Sequence, residues 1–456
     1  VEIIESFLAE ASSLAWGMPL LILLMGGGLF LMFYCRFVPF RHLGHSIEIL
    51  SGKYVDPNAP GQISPFQAMS SALASTIGMG NISGVAVGIA MGGPGVLFWM
   101  WVSAFVGMAT KFFTCTLSVM YRGRNERGEV EGGPMYMVTE GLGPKWKPLS
   151  ILFAAAGLIG TLPLFQSNQL TQIVRDVVLV PSGLIGQETF LPNLFMGLGL
   201  AFPVSIIMFG GLKRIAGVAT KLVPLMVVLY TGSVLYIIGV NISAVPSMFR
   251  LIFTDAFSAD AVLGGAVMQI IIMGARRASF SNEAGIGTAA MMHGESQTTE
   301  PVREGLVAML EPFIDTIIVC TMTGLAILVT GVWETNSGNG VSMTAQAFGE
   351  AMPTVGKYLL VVCVFIFAFT SLFSYCYYGS KCFTYLFGFK YRRLYDYFYI
   401  ATIIIGAVVT ITSIINLIDT AFALMAIPTM TCAIFLSPKV MAAARDYFGR
   451  MKAERA

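Results

Sequence analysis

Charge is scarce in this chain of 456 residues: Asp, Glu, Lys and Arg together make up 11%. A soluble domain carries about 25%, so an ordinary globular fold is excluded. Histidine occurs at 42, 45 and 293, too scattered for a histidine metal centre. The cysteines, at 35, 115, 320, 363, 376, 382 and 432, form no Cys-x-x-Cys pair and no zinc spacing. Most lie inside apolar runs and read as small packing residues. No Gly-x-Ser-x-Gly, His-Glu-x-x-His, Rossmann or Walker pattern stands on a plausible element. That disfavours an intramembrane enzyme, and the missing P-loop removes an ATP-driven pump with its engine in this chain. A net charge of +2 points to neither nucleic acid nor an acidic partner. The opening residues carry Glu2, Glu5 and Glu10, the wrong sign for the n-region of a secretory signal.

What the chain has in abundance is apolar surface. Hydrophobic residues make up 56% and the mean hydropathy is +0.76. At about 20 apolar residues per crossing, the length allows roughly ten to twelve spans. Apolar runs punctuated by Gly, Pro and charge give eleven candidate helices, at 16–34, 65–91, 96–121, 149–177, 192–211, 215–240, 261–290, 305–331, 355–388, 394–413 and 416–436. The expected fold class is therefore an all-α polytopic membrane protein with eleven transmembrane helices.

Basic residues orient these spans. Of the 27 Lys and Arg, Lys111, Arg276, Arg277 and Lys381 fall within or at the ends of spans, and Arg175, Arg250 and Lys357 lie on one side. The other twenty lie on the opposite side, in the loops after the odd-numbered helices and in the basic amphipathic tail Lys439–Ala456. This predicts a multi-pass plasma-membrane protein with its N-terminus outside and its C-terminus in the cytoplasm.

Two spans have centres that should not persist as helix. One reads Ser75-Thr-Ile-Gly-Met-Gly-Asn-Ile-Ser-Gly84; the other runs from Gly274 through Arg276-Arg-Ala-Ser-Phe-Ser-Asn-Glu-Ala-Gly-Ile-Gly287. Each interior glycine costs about 1 kcal/mol relative to alanine. Charges such as Arg276, Arg277 and Glu283 are expensive in a span unless they face protein or water. Unwound backbone at membrane depth survives only when buried in protein or lining a cavity. It offers amide N–H groups to a carboxylate and carbonyls to a cation. A lone Gly-x-Gly is more often a packing device, but position argues otherwise here. With 16–34 set aside as an extra helix, the interrupted spans are the first and sixth of ten. Each opens a five-helix half, and five is odd, so the halves form an inverted 5+5 repeat whose paired interruptions point to a midplane site. The chain then divides into 1–64 (extra helix and an inner amphipathic segment), 65–240 and 241–436 (the two repeats), and 437–456 (the tail).

The remaining charges allow bland readings. Glu311 and Asp315, one turn apart, read as a proton relay or, preferably, as a tether to Arg276 or Arg277, since an unpaired buried carboxylate costs several kcal/mol. Asp419 reads as an interfacial residue. For Lys111, snorkelling and a contact inside the bundle are both open. Trp99 and Trp101 suit an interfacial aromatic belt, and the loop 122–148 is expected to carry a short helix.

Five stretches carry a resemblance: Gly78-Met-Gly-Asn-Ile-Ser-Gly84, Gly92-Gly-Pro-Gly95, Gly132-Gly-Pro-Met-Tyr136, Phe280-Ser-Asn-Glu-Ala-Gly285 and Glu311-Pro-Phe-Ile-Asp-Thr-Ile-Ile-Val-Cys320. In this order, over most of the chain, they resemble the alanine or glycine:cation symporter family. The resemblance implies a leucine-transporter-type fold, with the 5+5 repeat and one extra helix. It implies a sodium-coupled symporter that imports a small neutral amino acid, alanine or glycine, by alternating access across the lipid bilayer. Substrate-binding residues implied are Thr76, Gly78, Met79, Gly80 and Asn81 at the first break, Ile272, Met273 and Gly274 at the second, and Gln166. The coupling ion, Na⁺, is implied at Ala74 and Ile77 with Phe367, Thr370 and Ser371. Proton coupling and, less favoured, a uniporter or channel are the alternatives; a channel would more naturally repeat its filter motif.

Overall fold

A computed structural model of the protein describes residues 2–56, 58–186, 189–257, 266–335 and 340–455. Helix dominates, because a segment in hydrocarbon must satisfy its own backbone amides and carbonyls. Among the described residues the sheet is a single hairpin, Gly123–Arg124 antiparallel to Val130–Glu131. It stands in the loop where the sequence predicts a short helix, and helix follows it at Pro134–Tyr136 and in a π turn over Met137–Leu142.

The first predicted span is preceded by further helix: Glu5–Ala15 meets Met18–Tyr34 at a bend of 46°. Trp16, in that bend, donates its indole N–H to the carbonyl of Asp419 at 2.9 Å and fastens the bend to the last apolar helix. After two short helices the central pair begins. Helix α1 (Pro65–Thr76) starts at a capping box, with Ser64 Oγ accepting from the Gln67 amide at 3.2 Å and Gln67 Oε1 accepting from the Ser64 amide at 2.9 Å. It stops at Ile77, whose ψ of 90° leaves the helical region. Helix α2 (Gly80–Gly92) resumes at an angle of 47°, opening with a π turn over Gly80–Gly84. Helix α3 (Val96–Met120) packs alongside.

The second interrupted run is α4 (Ala266–Asn282) and α5 (Thr288–His293). Between them Glu283, Gly285 and Gly287 take φ values of +55°, +84° and +102°. Three left-handed residues in five cannot continue a right-handed helix. The break thus lies at 283–287, a few turns beyond Gly274. Gly274 stays helical because it serves packing: a Cβ there would collide with Cβ of Trp99 on α3. Residues 261–265 of this predicted span lie outside the described residues.

Helix α6 (Pro301–Val329) contains a π-helical stretch over Phe313–Cys320. Helices α7 (Gly356–Phe387) and α8 (Ile411–Phe435) complete the surroundings of the two breaks, and Ser437–Arg455 forms a final helix in the predicted tail. Among the described residues seven helices are long and apolar enough to cross a membrane, or up to nine if each bent pair is one span. Two of the eleven predicted spans fall outside that set: Ala266–Asn282, where the described residues resume at 266, and Arg392–Val408, each with 17 described residues. The chain is a multi-pass, predominantly helical membrane protein.

Candidate functional site at two broken helices

The two breaks meet. A Cβ built on Gly80 would lie 3.1 Å from Cα of Ser281, so the first break touches the backbone of α4 just before the second. No larger residue leaves the chains this close. Asn81 organises the first break. Its Oδ1 accepts from the Gly78 amide at 2.9 Å, and its Nδ2 donates to Asp315 Oδ1 at 2.8 Å and to the Asp315 carbonyl at 3.0 Å. The π turn in α6 lets one residue present both its side chain and its carbonyl to the same donor.

Asp315 also serves the second break. Its Oδ2 accepts from Ser281 Oγ at 2.7 Å and from Thr316 Oγ1 at 2.8 Å. Asn282 donates to Thr316 Oγ1 at 2.9 Å and accepts from the Ala284 amide at 2.9 Å, capping the end of α4. Cys320 Sγ lies 3.1 Å from Ser281 Oγ and 3.3 Å from Asn81 Nδ2. Asn81, Ser281 and Asp315 are fully buried, and Asp315 has no cationic partner among the described residues. A buried carboxylate without a counter-ion is tolerable when several donors face it; here the donors come from both breaks.

Of the residues implied for the ion, Ala74, Phe367, Thr370 and Ser371 are linked by hydrogen bonds. Ser371 Oγ lies 3.1 Å from the Ala74 carbonyl, 3.4 Å from that of Ser75 and 3.0 Å from that of Phe367. Thr370 Oγ1 lies 2.9 Å from the Phe367 carbonyl. Ile77 is the residue at which α1 unwinds. Gly78 belongs here too, since a Cβ on it would run into Ser371 Oγ. Hydroxyl and carbonyl oxygens from α1 and α7 are hard, neutral donors suited to a monovalent cation.

The implied substrate residues divide. Gly78, Met79, Gly80 and Asn81 form the first break and are buried. Thr76 turns its hydroxyl back to the Ala72 carbonyl at 3.1 Å. Gln166 is 4% exposed, and its Oε1 has no hydrogen-bond partner among the described residues. Its neighbour Phe165 meets Phe280 edge-on at 4.8 Å, which sets that helix against α4 close to the breaks. Ile272, Met273 and Gly274 are not brought to either break. They lie on continuous helix, with Met273 against Gly92 and Gly274 against Trp99.

The charges pair otherwise than the sequence suggests. Arg276 and Arg277 both reach Asp419 Oδ2 on α8 at 2.5 Å, and Asp419 is fully buried, not interfacial. Glu311 takes Lys111 of α3 as its partner, so Lys111 is a bundle contact. Sequence reasoning missed Asp315, Ser281 and Thr316 as organisers of the site. The available signal was an acid inside an apolar run, which by itself marks a functional position.

The sodium:alanine symporter family matches residues 1–456. The chain belongs to that family. An uncharacterised transporter of Haemophilus influenzae is 41% identical, over 98% of this chain and 97% of its own length. The sodium/alanine symporter AgcS of Methanococcus maripaludis is 36% identical, over 97% of each chain. The probable sodium/glutamine symporter GlnT of Bacillus subtilis is 32% identical, over 99% of this chain and 92% of its own. Among solved structures the fold is similar to MhsT, crystallised in complex with L-phenylalanine, with a TM-score of 0.59 over 81% of this chain and 89% of that one at 14% identity. That likeness is one of fold, the leucine-transporter type. Family members are transporters and not enzymes, which agrees with the missing hydrolase and nucleotide motifs.

Proposed function

We propose that the chain is a sodium-coupled symporter that imports alanine or glycine by alternating access. The observation that carries this reading is the junction of two helix breaks at Gly80 and Ser281, beside the hydroxyl and carbonyl oxygens of Ser371, Thr370, Ala74 and Phe367. In this reading Asn81 Oδ1 occupies, on the Gly78 amide, the position that the substrate carboxylate takes over. Sodium is cargo, held by the carbonyls of Ala74, Ile77 and Phe367 and by the Thr370 and Ser371 hydroxyls, each turned so that a lone pair faces the ion. Gln166 contributes a side-chain oxygen to the substrate.

The proposal includes eleven spans, with Ala266–His293 and Arg392–Val408 counted as crossings, an inverted 5+5 repeat after an extra helix, and an outside N-terminus in the plasma membrane. Ion and substrate couple because both favour the conformation in which the breaks are closed around them. A second reading, proton coupling, is favoured by Asp315, an acid bonded to both breaks and, among the described residues, without a counter-ion.

Binding of labelled alanine to the purified chain, with sodium or choline chloride and with glycine or glutamine as competitor, tests the reading. Sodium-dependent binding displaced by glycine supports it. Sodium-independent binding, or displacement by glutamine but not glycine, contradicts the ion or the substrate.

A further inference from the structure

Helix α5 carries one ionisable side chain, His293, and that side chain is fully buried between two acids. Its Nδ1 lies 2.6 Å from Glu304 Oε1, and its Nε2 is bonded to Glu311 Oε1. Both acids are on α6 and both are fully buried. We infer that His293, Glu304 and Glu311 form a proton-binding site that keeps one proton on the imidazole, and that this proton pins α5 to α6.

Donors and acceptors at the ring do not match unless it carries an extra proton. A neutral imidazole has one N–H and one lone pair, and an ionised carboxylate only accepts. With neutral His293, one ring nitrogen would face a carboxylate oxygen lone pair to lone pair. One extra proton removes the conflict. Charge gives the same answer. Lys111 is bonded to the other oxygen of Glu311, so two carboxylates share one ammonium, and the imidazolium brings the buried group to neutrality. Glu304 Oε2 is buried with no hydrogen-bond partner among the described residues. A proton there would have no acceptor, so the extra proton lies in the hydrogen bonds between the ring and the carboxylates, where imidazole is the stronger base.

Among the described residues the surroundings supply no substitute cation. Helix α1 has no ionisable residue. From α3 come Lys111, already bonded to Glu311, and Cys115, one turn further along the helix. Arg122, just past α3, acts on Glu304, but its guanidinium is committed to the carbonyls of Pro60, Gly294, Ser296 and Thr298. From α7, Tyr378 has its hydroxyl on Ser75 Oγ at 3.0 Å, and Lys381 is paired with Glu295. Glu283, at the break, is bonded to the hydroxyls of Thr288 and Tyr375 and supplies no cation. The proton is a resident of the site and not cargo, because the ring is enclosed on both nitrogens.

The site is distinct from the proposed ion and substrate positions, and its test does not depend on them. The full chain, labelled with ¹⁵N-histidine in nanodiscs, gives three imidazoles, assigned by His42→Gln and His45→Gln variants made singly. At pH 8, above the ordinary imidazole midpoint of about 6.5, His293 is expected to show a proton on both ring nitrogens. In Glu304→Gln the amide can donate to Nδ1, so the midpoint is expected to fall by at least one pH unit, about a tenfold loss of proton affinity. A neutral His293 at pH 8 in the wild-type chain overturns the inference. So does an unchanged midpoint in a folded Glu304→Gln protein. Should that variant not fold, the wild-type measurement alone decides.

Discussion

The side-chain amide of Asn81 donates to the carboxylate of Asp315 at 2.8 Å, across 234 positions of sequence. The other oxygen of that carboxylate accepts from Ser281 at 2.7 Å. One acid on α6 therefore holds the ends of both broken helices, and movement of either break has to be reconciled with the other through it.

Replacing that acid should separate the breaks. Asp315→Ala removes one of the two acceptors of the buried Asn81 amide, leaving its bond to the carbonyl of residue 315, and takes the carboxylate acceptor from the Ser281 hydroxyl, at about 1–3 kcal/mol for each unsatisfied group. Sodium-driven uptake is expected to fall at least tenfold while the protein still inserts and elutes as a single species. Asp315→Asn keeps the shape and one acceptor oxygen, so it should retain more activity than alanine. Equal activity in the alanine variant and the wild type would remove Asp315 from the site.

The contact between Gly80 and Ser281 makes a steric prediction. A methyl group at position 80 meets Cα of Ser281 at 3.1 Å, backbone that cannot swing away as a side chain tip would. Gly80→Ala should weaken alanine binding several-fold and Gly80→Val should abolish it, by equilibrium binding to protein of normal yield. Normal affinity in Gly80→Val would mean that the breaks do not close on the substrate.

Sodium dependence should separate the two hydroxyls on α7. Ser371 Oγ reaches carbonyls on both α1 and α7, whereas Thr370 Oγ1 reaches the Phe367 carbonyl on its own helix. Ser371→Ala is expected to raise the half-saturating sodium concentration about tenfold or more, roughly 1.4 kcal/mol, and Thr370→Ala to raise it less. An unchanged sodium requirement in both would place the ion elsewhere.

The acid shared by two arginines bears on stability. Asp419→Asn leaves the buried guanidinium of Arg277 and its neighbour Arg276 without a counter-charge. Breaking a buried pair from one side costs about 3–5 kcal/mol, so thermal unfolding in detergent should begin at a distinctly lower temperature. Adding Arg277→Met to Asp419→Asn should recover part of the loss. A variant as stable as the wild type would show that the arginines find another partner.

The first break was legible because glycines at 78 and 80 flank Met79 and precede Asn81, and α1 unwinds at Ile77. The second was legible as a region but not to the residue. Gly274, Gly285 and Gly287 look alike in sequence, yet the first fills a helix–helix contact with Trp99 and the other two take positive φ. Composition does not separate a packing glycine from a conformational one. The ion pairs were less legible still. Arg276 and Arg277 lie closer in sequence to Asp315 than to Asp419, and helix direction alone does not say which acid they face. Asp315 was read as a charge in need of a cation, when hydroxyl and amide donors from the two breaks satisfy it instead.

The central claim is that the paired breaks couple an amino acid to sodium, and uptake of labelled alanine into proteoliposomes tests it most directly. The purified chain is given an inward sodium gradient, an inward proton gradient at equal sodium, or neither. The account predicts accumulation above the equilibrium level with the sodium gradient alone. Accumulation with the proton gradient alone, or equilibration that ignores every gradient, would contradict it.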